Sequence, residues 1–247
     1  MTQVQELIEA LKYKMEGDTE SVFDTVYEKV KRKVFISLLD NSTNVLQFAD
    51  KEEAMKSLSD YSQLKIKDTK EALCLDTVRK IIADCSKIKI LHIDLGFNHY
   101  DMYVIIAHDK PIINPVTNNV CEGIYISSVD KMRQDEADIT TSFIILSDDN
   151  KNFRDENRVH VICHEICHLV LSYMKRNGYV TKAFTDNWSS EMEEFLCDFL
   201  PFYHLKERDY LCNFLEYGEK WFKPEIMNRY RQYIKEIVIY MNSEGIQ

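Results

Sequence analysis

The sequence predicts an α+β fold that is mostly helical, with a small mixed β-sheet beside one helix in the second half of the chain. Apolar residues recur at helical spacing through most of the first and last thirds. Between residues 88 and 146 apolar and polar residues tend to alternate instead, which is typical of strands. The helix beside the sheet is predicted over residues 157–171, a stretch without glycine or proline.

The composition is that of a globular, acidic protein. The chain has 247 residues, of which 45% are hydrophobic, enough for a packed core. Its 31 basic and 41 acidic residues give a net charge of −10, which argues against direct binding to a nucleic-acid backbone and fits a basic protein partner. No signal-like segment or membrane-spanning apolar run is found, so we expect a cytoplasmic protein.

The cysteines do not form a recognisable framework. They number seven and include no Cys-x-x-Cys pair, so a disulfide scaffold or a cysteine zinc ribbon is not expected. We predict reduced and mostly buried thiols. Cys163, Cys167 and Cys197 lie close in sequence to the metal-ligand candidates described below, which leaves redox sensing or metal binding as alternatives to simple packing.

The first part of the chain, residues 1–86, is predicted to be a helical region. Apolar periodicity indicates helices over residues 2–16, 20–39, 50–61 and 68–85. Gly17 is expected to close the first helix, and the polar cluster 40–44 to form a turn after the second.

The sheet is predicted to follow directly. Its strands are expected over residues 88–95, 102–107, 123–127 and 141–146. The first two should form a hairpin, a long polar connection containing Pro111 and Pro115 should precede the third, and a short helix is predicted over residues 129–138.

The helix after the sheet is predicted to begin near residue 157 and to continue to about Lys175. Asn177-Gly178 is its C-terminal signal, because glycine readily adopts a positive φ. A last helix is predicted over residues 223–241. Together with the strands, these helices form the second predicted region, residues 87–247.

The helix of residues 157–171 carries the pattern His164-Glu165-x-x-His168. Residues at i and i+4 share one face of a helix about 6 Å apart along its axis, so both imidazoles can bind one tetrahedral metal such as Zn²⁺. Glu165 can take a proton from a water on that metal, because zinc lowers the pKa of such a water to about 7. We therefore predict His164 and His168 as zinc ligands and Glu165 as general base, the alternative being two histidines packed on a helix without a metal.

A further helix, predicted over residues 189–200, is expected to supply the third ligand, as in zincins that use a glutamate. Ser189 or Ser190 is a good N-cap, the acids that follow suit the positive end of the helix dipole, and Pro201 should end the helix.

The choice of the third ligand depends on spacing within that helix. Glu191, Glu194 and Asp198 fall on one face. We predict Glu194 rather than Glu191, because Asp198, one turn beyond Glu194, can then accept a hydrogen bond from a ligand histidine.

Other polar residues near the motif are less favoured candidates for metal binding or catalysis. His160 lies one turn before His164 and could be a further ligand, but a fourth protein ligand would close the site. We predict instead a partly exposed histidine at the start of the helix. Tyr173, Tyr203 and His204 are candidates for stabilising an oxyanion, although each is expected to be structural.

Three features together resemble the ImmA/IrrE family of zinc-dependent metallopeptidases. They are the strand at 143–146, the helix with His164-Glu165-Ile-Cys-His168-Leu-Val-Leu171, and the pattern Glu194-x-x-x-Asp198. The resemblance covers roughly residues 120–205. It implies a zincin-like fold, a zinc site completed by a glutamate, and cleavage of a cytoplasmic regulatory protein such as a basic DNA-binding repressor. In zincins an edge strand beside the motif helix pairs with an extended substrate, and we predict residues 143–146 as the neighbour of that edge.

Two other functions fit the same residues. The chain can be a non-catalytic, partner-binding regulator with a structural or vestigial zinc site, which a ligand set closed by His160 or a cysteine would favour. A zincin-like site can also serve a hydrolase that does not act on peptides, because the motif identifies the attacking water but not the substrate pocket.

Overall fold

A computed structural model of the protein describes residues 8–39, 46–47, 78, 80, 87–94, 100–108, 112–113, 118–130, 139–148, 156–180, 189–204 and 209–243. The helices are α1 (Val22–Leu39), α2 (Glu156–Arg176), α3 (Ser190–His204), α4 (Tyr210–Trp221) and α5 (Pro224–Ser243). The strands are β1 (Leu46–Gln47), β2 (Lys87–Asp94), β3 (Tyr100–His108), β4 (Ile112–Ile113), β5 (Val120–Cys121), β6 (Gly123–Asp130) and β7 (Ile139–Asp148). The predicted α+β class, mostly helical with a small mixed sheet, is confirmed.

The main sheet has the strand order β1-β2-β3-β7-β6. Strands β3 and β7 are parallel and the other pairs are antiparallel, so the sheet is mixed as predicted. The predicted hairpin is the antiparallel pair β2–β3. Among the described strands β6 lies at one edge, and β7, which contains residues 143–146, is its neighbour as predicted.

The centre of the sheet is buried on both faces. Residues 102–106 of β3 and 141–147 of β7 are all buried, and Ile105 lies opposite Ile145 in the parallel register. A strand that is buried on both faces has no face exposed to solvent. Its sequence therefore does not alternate between apolar and polar residues as that of a half-exposed strand does.

Two predictions around β6 need correction. The short helix predicted from residue 129 is wrong at its start, because residues 129 and 130 continue β6 and pair with Thr140 and Ile139 of β7. Residues 131–138 lie outside the described part of the chain. The predicted polar connection also contains a small antiparallel pair, β4 with β5, that the sequence did not predict.

The predicted N-terminal helices are only partly within the described residues. Residues 8–11 are helical, but the helix ends before residue 16, since residues 13–15 are not helical and Gly17 turns the chain with a φ of 92°. The helix predicted over 20–39 is α1, which begins at Val22 after Ser21 accepts a hydrogen bond from the Asp24 amide at 3.1 Å. The predicted turn at 40–44 and the helices predicted over 50–61 and 68–85 lie outside the described residues, apart from helical positions 78 and 80.

Helix α2 ends as its sequence predicts. Gly178 has a φ of 71°, the Tyr179 amide donates to the Met174 carbonyl at 3.0 Å, and the Gly178 amide donates to the Lys175 carbonyl at 3.4 Å. These are the two hydrogen bonds of a Schellman motif, which requires the positive φ that glycine adopts without strain.

Helix α3 begins as predicted but does not end at Pro201. The Ser189 hydroxyl accepts a hydrogen bond from the Met192 amide at 3.1 Å, which makes Ser189 the N-cap. Pro201 lies inside the helix, which continues to His204. Proline removes one helical hydrogen bond, but apolar packing can outweigh that loss, and Pro201 itself is buried.

Helices α3, α4 and α5 share an aromatic cluster. The ring of Phe214 is fully buried on α4 and has its centroid 6.3 Å from that of Phe195 on α3 and 6.2 Å from that of Tyr230 on α5. The rings of Phe195 and Tyr230 are 5.1 Å apart. The last predicted helix, residues 223–241, is α5, and Pro224 occupies its first position, where a missing amide costs nothing. Helix α4 was not predicted.

The chain divides into two compact units. One comprises Met1–Glu28 with Val170–Gln247 and contains α3, α4 and α5; the other comprises Lys29–Leu169 and contains the sheet. The division falls inside α1 and inside α2, each of which is a continuous helix. The predicted boundary between regions 1–86 and 87–247 stays a prediction.

Candidate metal centre

Helix α2 brings the two motif histidines together. His164 and His168 are half-buried, and their Nε2 atoms lie 3.1 Å apart. Two ligands of a tetrahedral zinc, each 2.0–2.1 Å from the ion, are themselves roughly 3.4 Å apart. The spacing of the two imidazoles therefore suits one shared ion.

The predicted third ligand, Glu194, is an exposed residue of α3, whereas both histidines are half-buried. Glu194 belongs to the compact unit that contains α3, and the two histidines belong to the other unit. Its place as the third ligand stays a prediction.

The neighbouring acids of α3 have other partners. Glu193 accepts a hydrogen bond from Lys175 Nζ at 2.7 Å. Glu191 lies 3.4 Å from Arg229 Nη1 and 3.5 Å from the Tyr233 hydroxyl. The choice of Glu194 over these two acids stays a prediction.

His160 is a further possible ligand on α2. It is buried, so the prediction of a partly exposed histidine is wrong. Its position one turn before His164 places it on the same face of α2 as the two motif histidines, and the rings of His160 and His164 have centroids 6.4 Å apart.

Asp198 is held by a tyrosine of α5. The Tyr230 hydroxyl donates a hydrogen bond of 2.8 Å to Asp198 Oδ2, and both residues are buried. Burial, and after it the nearby Asp198 carboxylate, raises the pKa of the Tyr230 phenol, so the hydroxyl keeps its proton and remains a donor. The predicted hydrogen bond from a ligand histidine to Asp198 stays a prediction.

No protein-family model, curated protein or solved structure matches this chain. Its chemistry therefore has to be inferred from the residues of the site and from the elements that position them. Of the helices that the structure describes, none is long and apolar enough to cross a membrane.

Glu165, the predicted general base, is packed against the start of β6. It is 6% exposed, and a Cβ added to Gly123 would lie 2.8 Å from Glu165 Oε1 and 2.9 Å from Val161 Cγ1. Only glycine allows the strand to approach the helix this closely. Position 123 therefore helps to fix the carboxylate, a role that the sequence analysis missed.

Tyr125 of β6 is a second residue that the sequence analysis missed. Its ring is parallel to that of His168, with an angle of 3° and a centroid distance of 6.0 Å, and its hydroxyl lies 3.3 Å from Ser142 Oγ. Gly123 and Tyr125 are two residues apart on one strand and so lie on the same face. This spacing of two residues is a signal in the sequence that both side chains lie on one face of β6. It does not show that this face packs against α2.

Two of the weaker candidates, Tyr173 and Tyr203, pack against other aromatic rings. Tyr173 packs on Tyr179, with ring centroids 6.1 Å apart, and Tyr203 packs on Phe199 and Tyr210. The His204 side chain lies outside the described part of the structure. The expectation that both tyrosines have structural packing roles agrees with these contacts.

The cysteines near the site are packing residues by position. Cys163, Cys167 and Cys197 are buried, as predicted, with at most 4% of their surface exposed. The described cysteines, which also include Cys121 and Cys212, are free thiols. Buried thiols in apolar surroundings are poorly accessible to oxidants, so the contacts favour packing over redox sensing.

Proposed function

We propose that this chain is a zinc-dependent metallopeptidase that hydrolyses a peptide bond in a cytoplasmic regulatory protein. The observation that carries the proposal is the pair of motif histidines on α2, whose Nε2 atoms lie 3.1 Å apart, with Glu165 next to the first of them. Glu194 is the proposed third ligand. Two imidazoles and one carboxylate form the ligand set of a hydrolytic zinc site with an open position for water.

The three ligands would hold the ion from one side. His164 and His168 are half-buried on α2, and Glu194 is exposed on α3, so each proposed ligand is accessible to solvent. When bound there, zinc supplies a Lewis acid that polarises a carbonyl and lowers the pKa of water to about 7.

Glu165 is the proposed general base. It takes a proton from the attacking water and returns that proton to the leaving nitrogen of the scissile amide. Its burial against Gly123 restricts the carboxylate to few positions, which favours proton transfer in a fixed geometry.

An extended segment of the substrate is proposed to pair with β6. This strand is at the edge of the described sheet, and its residues Gly123 and Tyr125 contact Glu165 and His168. An exposed strand edge offers backbone hydrogen bonds to a peptide, and this one lies beside the proposed ligands.

A basic DNA-binding repressor is the proposed substrate class. The net charge of −10 favours a basic partner. The resemblance of the motif region to ImmA/IrrE metallopeptidases favours a repressor in particular, and no nucleic acid or membrane is required at the site.

A second candidate function is a non-catalytic, partner-binding regulator with a structural zinc. The observation that favours it is the buried His160, which lies one turn before His164 on α2. An ion held by these residues would have little access to a substrate.

The two functions are separated by Glu165→Gln. Zinc-loaded wild-type protein and the variant are each incubated with a library of peptides from a digested proteome, and new termini are identified by mass spectrometry. We expect the variant to retain zinc but to lose about 100-fold or more of the cleavage, because it lacks the base. Glu156→Gln, at an exposed acid of the same helix, is the control and should cleave normally. Equal cleavage by the Glu165→Gln variant would rule out the proposed role, and no cleavage by the wild type would favour the regulator.

A further inference from the structure

We propose that Tyr125 of β6 is a positioning residue for His168, and that its ring holds the imidazole so that Nε2 faces His164. The inference deepens the proposed function and rests on it, because His168 is there a zinc ligand. The residues that carry the inference lie in β6, in β7 and in α2 before Val170, all within the unit that contains the sheet. The proposed arrangement therefore lies inside one compact unit.

The rings of Tyr125 and His168 are stacked. Their planes differ by 3° and their centroids are 6.0 Å apart, which is the offset parallel arrangement that aromatic rings favour. Rotation of the imidazole out of this plane would separate the two faces and lose the stacking contact. Tyr125 therefore limits the orientations that the His168 ring can adopt.

The orientation of the His168 ring decides where its Nε2 atom lies. The two Nε2 atoms of His168 and His164 are 3.1 Å apart, close to the roughly 3.4 Å between two ligands of a tetrahedral zinc. Helix α2 fixes the backbone of both residues, but the torsion that turns a histidine ring has broad minima. A further contact is needed to hold the imidazole, and the ring of Tyr125 provides one.

Tyr125 is itself held by a buried serine of β7. Its hydroxyl lies 3.3 Å from Ser142 Oγ, and Ser142 is fully buried. Ser142 pairs with Ser127, two residues after Tyr125, so the three side chains lie on one face of the sheet. Aromatic side chains reach such diagonal neighbours on a sheet. The tyrosine is thus fixed at its hydroxyl end while its ring stacks on His168.

Positioning and simple packing make different demands on residue 125. Tyr125 is half-buried, so a packing role alone could be filled by an aliphatic residue that covers the same surface. A residue that sets the orientation of an imidazole has to present a flat ring to it. Only an aromatic replacement should then preserve the orientation of His168.

Two variants separate these roles in the metal-free protein. Tyr125→Phe keeps the ring that stacks on His168, whereas Tyr125→Leu removes it. Nuclear magnetic resonance relaxation of protein labelled in its histidine rings measures their mobility, and the His168 signal is identified by its loss in His168→Gln. In Tyr125→Leu the order parameter should fall from a rigid value of about 0.85 to below about 0.6. In Tyr125→Phe it should stay close to the wild-type value.

Zinc affinity, measured by competition with a chelator, is the second readout. It should fall about tenfold in Tyr125→Leu and less than about threefold in Tyr125→Phe, as expected when the support of a metal ligand is removed or kept.

Tyr103→Leu is the matched control, because it removes a stacked ring from the other face of the same sheet. Tyr103 stacks on Phe143 with centroids 5.5 Å apart, and Phe143 pairs with Ile126, the neighbour of Tyr125 in β6. Adjacent residues of a strand point to opposite faces. The control should leave the order parameter of His168 and the zinc affinity unchanged.

Three results would overturn the role of Tyr125. They are a folded Tyr125→Leu variant with a His168 ring as rigid as in the wild type, wild-type zinc affinity in that variant, and equal losses in Tyr125→Phe. If Tyr125→Leu does not fold, as judged by circular dichroism, Tyr125→Met replaces it with the same criteria. A wild-type protein that binds no zinc would contradict the proposed function instead, and the order parameters would still decide the role of Tyr125.

Discussion

At the scale of single residues, the acids of α3 differ in their contacts. Glu191 lies beside Arg229 and Glu193 beside Lys175, whereas Glu194 is the proposed metal ligand. Spacing alone placed Glu191 and Glu194 on one face, and the contacts of Arg229 and Tyr233 with Glu191 now separate them.

This division predicts a contrast between two alanine variants. Glu194→Ala removes the proposed third ligand and should lower kcat/KM for a peptide from the cleaved library by about 100-fold or more. Glu191→Ala removes an exposed ion pair and should leave kcat/KM nearly unchanged. Steady-state kinetics of both variants checks this, and a similar loss in each would contradict the choice of Glu194.

Gly123→Ala tests how closely β6 must approach α2. The added methyl would lie 2.8 Å from Glu165 Oε1, so the carboxylate must shift. A displacement near 1 Å should lower kcat by about 100-fold while zinc content stays at the wild-type level. Normal kcat in a zinc-loaded variant would show that the position of Glu165 is not critical.

Relations between candidate site residues could be predicted when the residues are close together in sequence. The pairing of His164 with His168 was predictable because a helix fixes their relation within one turn. The N-cap of the helix that carries Glu194 was also predicted correctly, whereas the role of Glu194 stays a prediction. Gly123 and Tyr125 were not predictable, since their contacts depend on how β6 packs against α2. The burial of His160 was not predicted, because it also depends on tertiary packing.

At the scale of elements, the sequence predicted where helix α3 begins better than where it ends. Ser189 began α3 as predicted, yet Pro201 did not end it. The cost of one missing hydrogen bond is local, whereas the gain from aromatic packing among α3, α4 and α5 is visible only in three dimensions. Helix α4 was not predicted for the same reason. Its buried residues, such as Phe214 and Tyr217, stabilise the helix by packing against aromatic rings of other helices.

Helix α5 is predicted to support the metal centre through one hydroxyl. Tyr230→Phe keeps the ring that packs on Phe195 at 5.1 Å but removes the hydrogen bond to Asp198. Zinc affinity, measured by competition with a chelator, should fall about tenfold, as expected for a residue that orients a ligand's partner.

Tyr233→Phe is the matched control for that experiment. Tyr233 also lies on α5 and also packs on Phe195, at 5.0 Å, but its hydroxyl contacts Glu191 instead. Its removal should leave zinc affinity unchanged. Equal losses in the two variants would show that α5 acts through general packing and not through Asp198.

At the scale of the whole molecule, the aromatic cluster makes stability sensitive to alkaline pH. Burial, and after it neighbouring negative charge, raises the pKa of Tyr203 and of Tyr210 above the usual value of 10.0. The folded chain therefore keeps these protons at a pH where the unfolded chain loses them. This contribution to stability is complete below about pH 10 and is lost as pH rises further.

Urea unfolding at a series of alkaline pH values measures this effect. The free energy of unfolding should fall above about pH 10, and it should fall less steeply in Tyr203→Phe/Tyr210→Phe, which has no phenols at these positions. An equally steep fall in the double variant would show that other groups cause the alkaline loss of stability.

The central claim is that His164, His168 and Glu194 hold a zinc ion that remains open to water, and zinc-edge anomalous diffraction from crystals of the zinc-loaded protein tests it most directly. We expect a peak about 2.1 Å from Nε2 of both histidines and from a Glu194 oxygen, with the remaining position facing solvent. A zinc-loaded crystal with no peak there, or with a peak held only by His160, His164 and Asp198, would contradict the claim.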